Sequence, residues 1–291
     1  GLDPMKRYFL ASDLEIFEAY KTQIDDQIKG IDISFFNLVY ERLIYRIDES
    51  KDLYQKVLNA PYDFSEVDSL VVDYDLLPYA ASKKELEARW RLQLKYVSLG
   101  TYFASRENEA LKATEDTAYT PKDVIVLESE ARAKTKESLE EYFDFVADLE
   151  RKDWFVQYLN SIVETYDPHT FYFAPEEKDR FDMDMSGKFE GIGARLQKRK
   201  DQTKIVEIIS GGPVWRDQSI EVGDEIIKVG QSGEDPVDIV GMRLGDAIKL
   251  IKGPKGSLVD LTVKKVDGSI QVISITRDVV KLEETFAKTA T

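Results

Sequence analysis

The sequence predicts an α+β fold in more than one domain, in which an all-helical N-terminal part precedes a small β-barrel or sandwich with two helices. Apolar residues recur at helical spacing up to about residue 166, whereas alternating strand patterns and glycine turns begin at residue 187. Asp167-Pro168 separates the two patterns, because proline disfavours helical geometry at the residue before it. We therefore expect a helical domain at residues 1–180, a second domain at residues 187–281 and the start of a linker at residues 282–291.

The helical prediction rests on apolar stripes and on capping residues. One stripe begins near Leu14, and a second runs over residues 35–47, where Asp32 or Ser34 could cap the helix. Residues 60–81 are rich in aspartate and contain two prolines, which favours an irregular crossing. Ser82 followed by Glu85 predicts a capping box. Pro121 is expected where a first helical turn tolerates proline, ahead of a helix over residues 125–149. A last helix is expected over residues 153–166.

The second domain is predicted from strand alternation broken by turns. Strands are expected at residues 194–198, 204–209 and 225–229, with a short helix over residues 214–218. A second helix is indicated by four apolar residues at i, i+3, i+4 and i+7, which are Leu244, Ala247, Ile248 and Ile251. Residues 258–266 and 270–276 alternate across Asp267-Gly268, which is a strong hairpin signal.

Composition and charge exclude several classes of function. The 291 residues carry a net charge of −15, so a nucleic-acid backbone would be repelled. Residues 187–281 hold 16 Lys and Arg against 14 Asp and Glu, a net charge of +2, so the rest of the chain carries −17. Without cysteine the chain has no disulfide or thiolate chemistry, and no apolar run approaches a membrane span. We expect no metal and no cofactor.

The chain's one histidine, His169, lies in the turn Asp167-Pro168-His169-Thr170. Histidine is the usual general base in enzymes, so a catalytic role has to be weighed. A helix-exit turn, in which these side chains bond the local backbone, explains the same residues at lower cost. We therefore predict a structural turn and name no catalytic residue.

A glycine-flanked apolar loop leads directly into the first predicted strand. Such a loop leaves backbone N–H groups pointing into one concavity, which suits the terminal carboxylate of a peptide, and the strand edge can then extend the bound tail. The predicted peptide-binding residues are Gly191, Ile192, Gly193, Ala194, Arg195, Leu196, Leu244, Ala247, Ile248 and Ile251. Leu244 and Ile248 are expected at the groove, with Ala247 and Ile251 packed beneath it.

Residues 191–256 resemble the PDZ domain of the tail-specific proteases, the bacterial carboxyl-terminal processing serine peptidases. The resemblance rests on the segments FEGIGA at 189–194, VGDEI at 222–226 and LIKGPKG at 250–256. Upstream, DPHT at 167–170, LASD at 10–13 and Trp90 are similar to the long, periplasmic Prc-like branch.

The resemblance implies a protease that binds the C-terminal tails of proteins and then degrades or processes them in the periplasm. It also implies a PDZ domain that gates access to a serine activated by a lysine, both in a domain after the PDZ region. We expect this chain to be a fragment that lacks this dyad and is inactive on its own, with Ser210 and Ser257 structural. In a circularly permuted PDZ domain, residues 271–276 should take the place of the usual first strand.

Two other classes of function are consistent with the sequence. The chain could be a stand-alone PDZ peptide-binding scaffold without chemistry. Alternatively, the acidic helical part could be a docking platform for a membrane-associated, lipoprotein-type adaptor.

Overall fold

The computed structural model describes residues 1–175, 177–178, 181, 185, 187–231 and 233–281. The chain forms two compact units, one spanning Gly1–Tyr172 and a second that begins at Phe173. The predicted linker at residues 282–291 lies outside the described residues. Among the described residues, no helix has the length and apolar character needed to cross a lipid bilayer.

The first unit is helical, as predicted. Its helices are α1 (Ala11–Glu18), α2 (Ile24–Gly30), α3 (Ser34–Asn59), α4 (Lys83–Glu115), α5 (Val124–Asp148) and α6 (Arg151–Val163). The core contains Phe36 and Leu43 from α3 and Trp90 from α4, all fully or almost fully buried. The stripe predicted over residues 35–47 is therefore the buried face of α3, although Ile44 at its margin is exposed.

The first residues of the chain are tied to this core by buried polar contacts. Asp3 accepts hydrogen bonds from the N–H groups of Arg7, Tyr8 and Phe9 at 2.8 to 3.0 Å. Asp13, in α1, accepts two bonds from the Arg46 guanidinium on α3, at 2.8 and 2.9 Å, and both residues are buried. The Trp90 indole N–H donates to the Arg7 carbonyl at 3.0 Å. These contacts hold the N-terminal segment against α3 and α4.

Three helix starts differ in detail from their predictions. Ser82 caps α4 by accepting the Glu85 N–H at 3.3 Å, but the Glu85 carboxylate accepts from the Ala81 N–H instead of from Ser82. Pro121 precedes α5, as predicted, but lies outside its first turn, because Asp123 is the N-cap and accepts the Ile125 N–H at 2.8 Å. Helix α6 begins at Arg151 and ends at Val163, earlier at both ends than predicted.

The entry to α3 also departs from simple side-chain capping. The N-cap residue is Ile33, whose side chain makes no cap bond, and Asp32 accepts the Ser34 N–H at 2.9 Å.

At the far end of the unit, Asp167 accepts the His169 N–H at 2.9 Å and the Thr170 hydroxyl at 2.6 Å. The structural turn predicted around His169 is therefore confirmed.

Within residues 187–231 and 233–281, the second unit is built from short strands and two short helices. They are β1 (Lys188–Gly191), β2 (Ala194–Arg199), β3 (Gln202–Ile208), α7 (Pro213–Asp217), β4 (Glu225–Gln231), β5 (Val237–Asp238), α8 (Leu244–Ile251), β6 (Leu258–Lys264), β7 (Ile270–Thr276) and β8 (Asp278–Lys281). The predicted hairpin is present as β6 and β7, paired from Leu258 opposite Thr276 to Lys264 opposite Ile270.

The main sheet is open. Its strand order is β2-β3-β4-β6-β7, with β5 paired to β4, and β1 pairs with β8 in a separate two-stranded sheet. The closed small barrel that we expected as one alternative is therefore not formed within the described residues. The physical reason is that the chain leaves the sheet after β7, and β8 pairs with β1 instead of joining the outer edge of β2.

Candidate peptide-binding site

The predicted loop lies where β1 ends and β2 begins. Gly191 is the last residue of β1, opposite Asp278, and Ile192 and Gly193 connect it to β2. Gly193 has a φ of +78°, and a Cβ on it would lie 3.0 Å from the Gly212 Cα. Only glycine fits this conformation in this space. The loop and the Gly-Gly-Pro turn thus depend on each other.

The carbonyl groups of this loop are held from behind. The Val214 N–H, at the start of α7, donates to the Ile192 carbonyl at 2.9 Å, and the Ile209 N–H donates to the Gly193 carbonyl at 2.9 Å. The first bond fixes the peptide group that carries the Gly193 N–H, and the second fixes the peptide group that carries the Ala194 N–H.

The amide groups of the loop have no such partner. Ile192 is 3% exposed and Gly193 is also buried. Within the described part of the chain, neither N–H donates to an acceptor. Buried N–H groups are almost always paired. Unpaired donors on adjacent residues are the arrangement that suits an anion such as a terminal carboxylate.

Strand β2 presents an open edge beside these amides. It is the outermost strand of the sheet, and no described strand pairs with its outer side. Ile205, opposite Leu196, donates its N–H to the Asp224 carbonyl, and its own carbonyl accepts the Gly223 N–H. Both backbone groups of Ile205 therefore point away from β2. Because backbone groups alternate in direction along an antiparallel strand, Ala194 and Leu196 direct theirs to the free edge. That edge can accept another strand.

Helix α8 lies next to β2, on the side where the sequence predicts the groove. Leu244 and Ile248 are half-buried, whereas Ala247 and Ile251 belong to the core of the unit. The four residues of the apolar stripe thus fall into an outer pair and an inner pair. On β2, Ala194 and Leu196 pack against the same core, while Arg195 is exposed.

A buried arginine that sequence patterns did not single out anchors this helix. Arg277 is 3% exposed and donates to the carbonyls of Leu250 and Ile251, at the C-terminal end of α8. It also donates to Gln231, Ser257 and Leu258. Burial lowers the pKa of the guanidinium from its usual value. In a sequence, a single charged residue between two strands is typical of an exposed position. The periodicity of apolar residues therefore could not indicate that Arg277 is buried.

A cavity of about 550 Å³ lies beside Arg277 and the segment after α8. It is not the candidate site, because all five N–H groups of the guanidinium already have acceptors. Ser257 belongs to this network and donates to the Pro254 carbonyl at 2.6 Å. This agrees with the structural role predicted for it.

The architecture and the groove define a class of protein: a helical domain followed by a PDZ domain. Residues 1–176 match the model of the tail specific protease N-terminal domain, and residues 181–264 match the PDZ domain model. The chain therefore belongs to the tail-specific protease family.

Two curated relatives and one solved structure illustrate the likeness. The tail-specific protease of Haemophilus influenzae is 28% identical over 291 residues, covering 99% of this chain and 39% of that protein. The carboxy-terminal processing protease CtpA of Bacillus subtilis is 33% identical over 122 residues, covering 42% of this chain and 25% of that protein. The PDZ domain of a carboxy-terminal protease from Vibrio cholerae, solved in complex with a peptide, is 48% identical, covers 33% of this chain and 99% of that one, and has a TM-score of 0.32. The chain thus spans well under half the length of these two curated relatives.

Proposed function

We propose that this chain is the substrate-recognition part of a tail-specific protease and that its PDZ domain binds the C-terminal tails of proteins. The observation that carries the proposal is the pair of unpaired, buried N–H groups on Ile192 and Gly193, next to the open edge of β2. A strand edge alone would bind any extended segment. The added anion site selects the end of a chain.

In the proposed complex, the tail lies antiparallel to β2, with its carboxylate at the loop. The N–H groups of Ile192 and Gly193 donate to that carboxylate, while Gly191 remains in β1 opposite Asp278. The backbone of the tail bonds to Ala194 and Leu196 along the edge. Such peptide interactions are expected to give about micromolar affinity, or about −8 kcal/mol.

The spacing of α8 predicts which side chains of the tail are read. Ile248 and Leu244 are one helical step of four residues apart, which is about 6 Å along the axis. The last and third-from-last residues of an extended tail point to the same side and are about 6.8 Å apart. The last side chain therefore contacts Ile248 and the third-from-last contacts Leu244, so both are expected to be apolar.

Titration with matched peptides tests this proposal. A peptide that ends in an apolar residue is compared as a free acid and as a C-terminal amide, by calorimetry with the whole chain. We expect the amide to bind at least about tenfold more weakly, because each charge-assisted hydrogen bond contributes about 1.5–3 kcal/mol. Equal binding of the acid and the amide would remove the carboxylate site.

The cleavage step is assigned to a serine and a lysine outside the residues that this chain shares with its relatives. The family membership supports this assignment and a periplasmic location. A longer version of the protein should cleave a tagged substrate, and substitution of that serine by alanine should abolish cleavage while peptide binding persists.

A further inference from the structure

Strand β7 is the second free edge of the main sheet. It is the last strand in the order β2-β3-β4-β6-β7, and within the described residues no strand pairs with its outer side. The Arg277 N–H donates to the Ser257 carbonyl at 2.8 Å, and the Lys265 N–H donates to the Ser269 carbonyl at 2.8 Å, so residues 269 and 277 face β6. Because backbone direction alternates along an antiparallel strand, alternate residues of β7 direct their N–H and C=O groups to the open edge. They are Ile270, Val272, Ser274 and Thr276.

This edge lacks the features that usually prevent a strand from pairing. Natural edge strands carry charges, prolines or bulges. Strand β7 has the sequence IQVISIT, without charge or proline, and it pairs with β6 in an unbroken register. All the edge-facing residues are exposed, and the large apolar ones are Ile270 at 63% and Val272 at 68%. An uncharged, apolar and exposed edge is suited to pairing with another strand.

The edge is complementary to a second copy of itself. A two-fold axis at Ile273, the middle residue of β7, pairs the whole strand with its copy. Ile270 then lies opposite Thr276, and Val272 lies opposite Ser274. Since these are the edge-facing residues, this register also satisfies the alternation of the ladder and forms about eight hydrogen bonds. Moving the axis along the strand leaves one of its ends unpaired.

Charge favours this contact over self-pairing at the other free edge. Strand β2 carries two arginines and a lysine, so two copies of β2 would set positive charges against each other. Strand β7 brings no charge into the contact. On the outer face, Ile270 would lie beside Thr276 of the second copy. The exposed Leu258 of β6, which is opposite Thr276, extends this apolar surface.

We propose that β7 is a self-association edge, through which two copies of this chain join their main sheets into one continuous antiparallel sheet. This inference goes beyond tail binding and does not rest on it. The two β2 edges then lie at opposite ends of the joined sheet, about 40 Å apart at about 4.8 Å per strand, and both remain open. One pair of short strands buries little area, so the dimer is weak and forms at high concentration.

Sedimentation velocity of the whole chain measures this association. We expect a monomer at about 10 µM and a dimer fraction that grows towards about 1 mM, as for contacts below the standard interface size. Val272→Lys should keep the chain monomeric over this range. The two copies of residue 272 are diagonal neighbours across the axis, about 7–8 Å apart, and like charges there repel. Val266→Lys is the matched control, since Val266 is 72% exposed in the turn after β6 and should leave association unchanged.

A mixture of two variants separates this register from unspecific apolar association. Val272→Glu alone should also be monomeric. Equal amounts of V272K and V272E should associate again, because opposite charges then meet across the axis. This recovery would also show that both variants are folded.

Amide hydrogen exchange followed by NMR gives a second readout. The edge-facing amides should become protected as the concentration of the chain rises, because they gain hydrogen bonds to the second copy. These are the amides of Ile270, Val272, Ser274 and Thr276. Exchange at these positions that does not depend on concentration would contradict the pairing.

Three other results would overturn the proposal. The chain could stay monomeric at about 1 mM, or association could persist in V272K, or the mixture of V272K and V272E could stay monomeric. Loss of the dimer when an apolar-ended peptide saturates the chain would assign the contact to β2 and would overturn it as well. Because β7 and β2 are separate edges, a failure of tail binding would leave the sedimentation test unaffected.

Discussion

Gly193 and Gly212 meet backbone to backbone. A Cβ on Gly193 would lie 3.0 Å from the Gly212 Cα, and one on Gly212 would lie 3.1 Å from the Gly193 Cα. The loop predicted to bind peptide and the turn before α7 are therefore one packed unit. This packing explains why a glycine-rich loop and a Gly-Gly-Pro turn occur together in one domain.

Gly193→Ala should disturb both stability and binding. The alanine would have to hold a left-handed backbone conformation, which costs about 1–2 kcal/mol, and its Cβ would also collide with Gly212. Gly268→Ala is the matched control, since Gly268 has a φ of +88° with open space around it. Urea unfolding should show a larger loss for Gly193→Ala, and peptide titration should show weaker binding for that variant alone. Equal losses in both assays would contradict the packed loop.

Ile248→Ala should weaken binding of an apolar-ended peptide about fivefold or more while changing stability by less than about 1.5 kcal/mol, because Ile248 is only half-buried. Ile251→Ala is the comparison, since this buried residue belongs to the core and its truncation should cost about 2–5 kcal/mol. Calorimetric titration and urea unfolding measure the two effects. A binding loss confined to Ile251→Ala would place the groove elsewhere.

Arg277→Met should destabilise the second unit by about 3 kcal/mol or more. The variant removes five donors, among them the one to the carbonyl of the buried Ile251. Lys228→Met removes a positive charge from an exposed position and is expected to change stability by less than about 0.5 kcal/mol. The fluorescence of Trp215, which lies in α7, can report unfolding of this unit. Similar stabilities for the two variants would exclude an anchoring role for Arg277.

Asp13→Asn should destabilise the helical unit by about 3–5 kcal/mol. The change removes the buried carboxylate that pairs with the Arg46 guanidinium, which then keeps Glu49 as its charged partner. Asp25→Asn breaks an exposed ion pair with Lys29 and should cost less than about 0.5 kcal/mol. Both can be followed through unfolding by circular dichroism. A mild effect of Asp13→Asn would show that the pair does not hold α1 to α3.

Asp278 predicts a stability change at low pH. Hydrogen bonds from Arg216 and Lys255, with one from the Val279 N–H, lower the pKa of this carboxyl from 3.8 to about 2. Since the folded-state pKa is depressed, the stabilisation is present above about pH 4 and is lost as the pH falls towards 2. The carboxyl carbon shift of Asp278 in an NMR titration should show its midpoint in this window. A midpoint near 4 would mean that these contacts do not hold the charged form.

Much of the second unit could be predicted from its sequence because the signals are local. Asp267-Gly268 specified a hairpin between two alternating runs, and the helical spacing of four apolar residues specified α8. The predicted division of that stripe, with Leu244 and Ile248 outside and Ala247 and Ile251 beneath, agrees with the burial of the four residues. Its predicted role in peptide binding remains a prediction.

The features that escaped prediction depend on distant residues. Arg277 lies 26 residues after Ile251, and only the folded chain brings its guanidinium to the end of α8. The pairing of β8 with β1, which leaves the sheet open, also joins segments far apart in sequence. Both Pro121 and Asp123 are residues that favour the start of a helix. Asp123 is the N-cap of α5, and local sequence preference alone did not show which of the two marks the helix start.

The most direct test of the central claim is an NMR titration that follows the backbone amides of Ile192 and Gly193. A free-acid peptide with an apolar end should shift both amide signals strongly, together with those of Ala194 and Leu196. The amidated peptide at the same concentration should leave the Ile192 and Gly193 signals nearly unmoved. If the acid and the amide shift these two amides equally, or if neither does, the loop is not the carboxylate site.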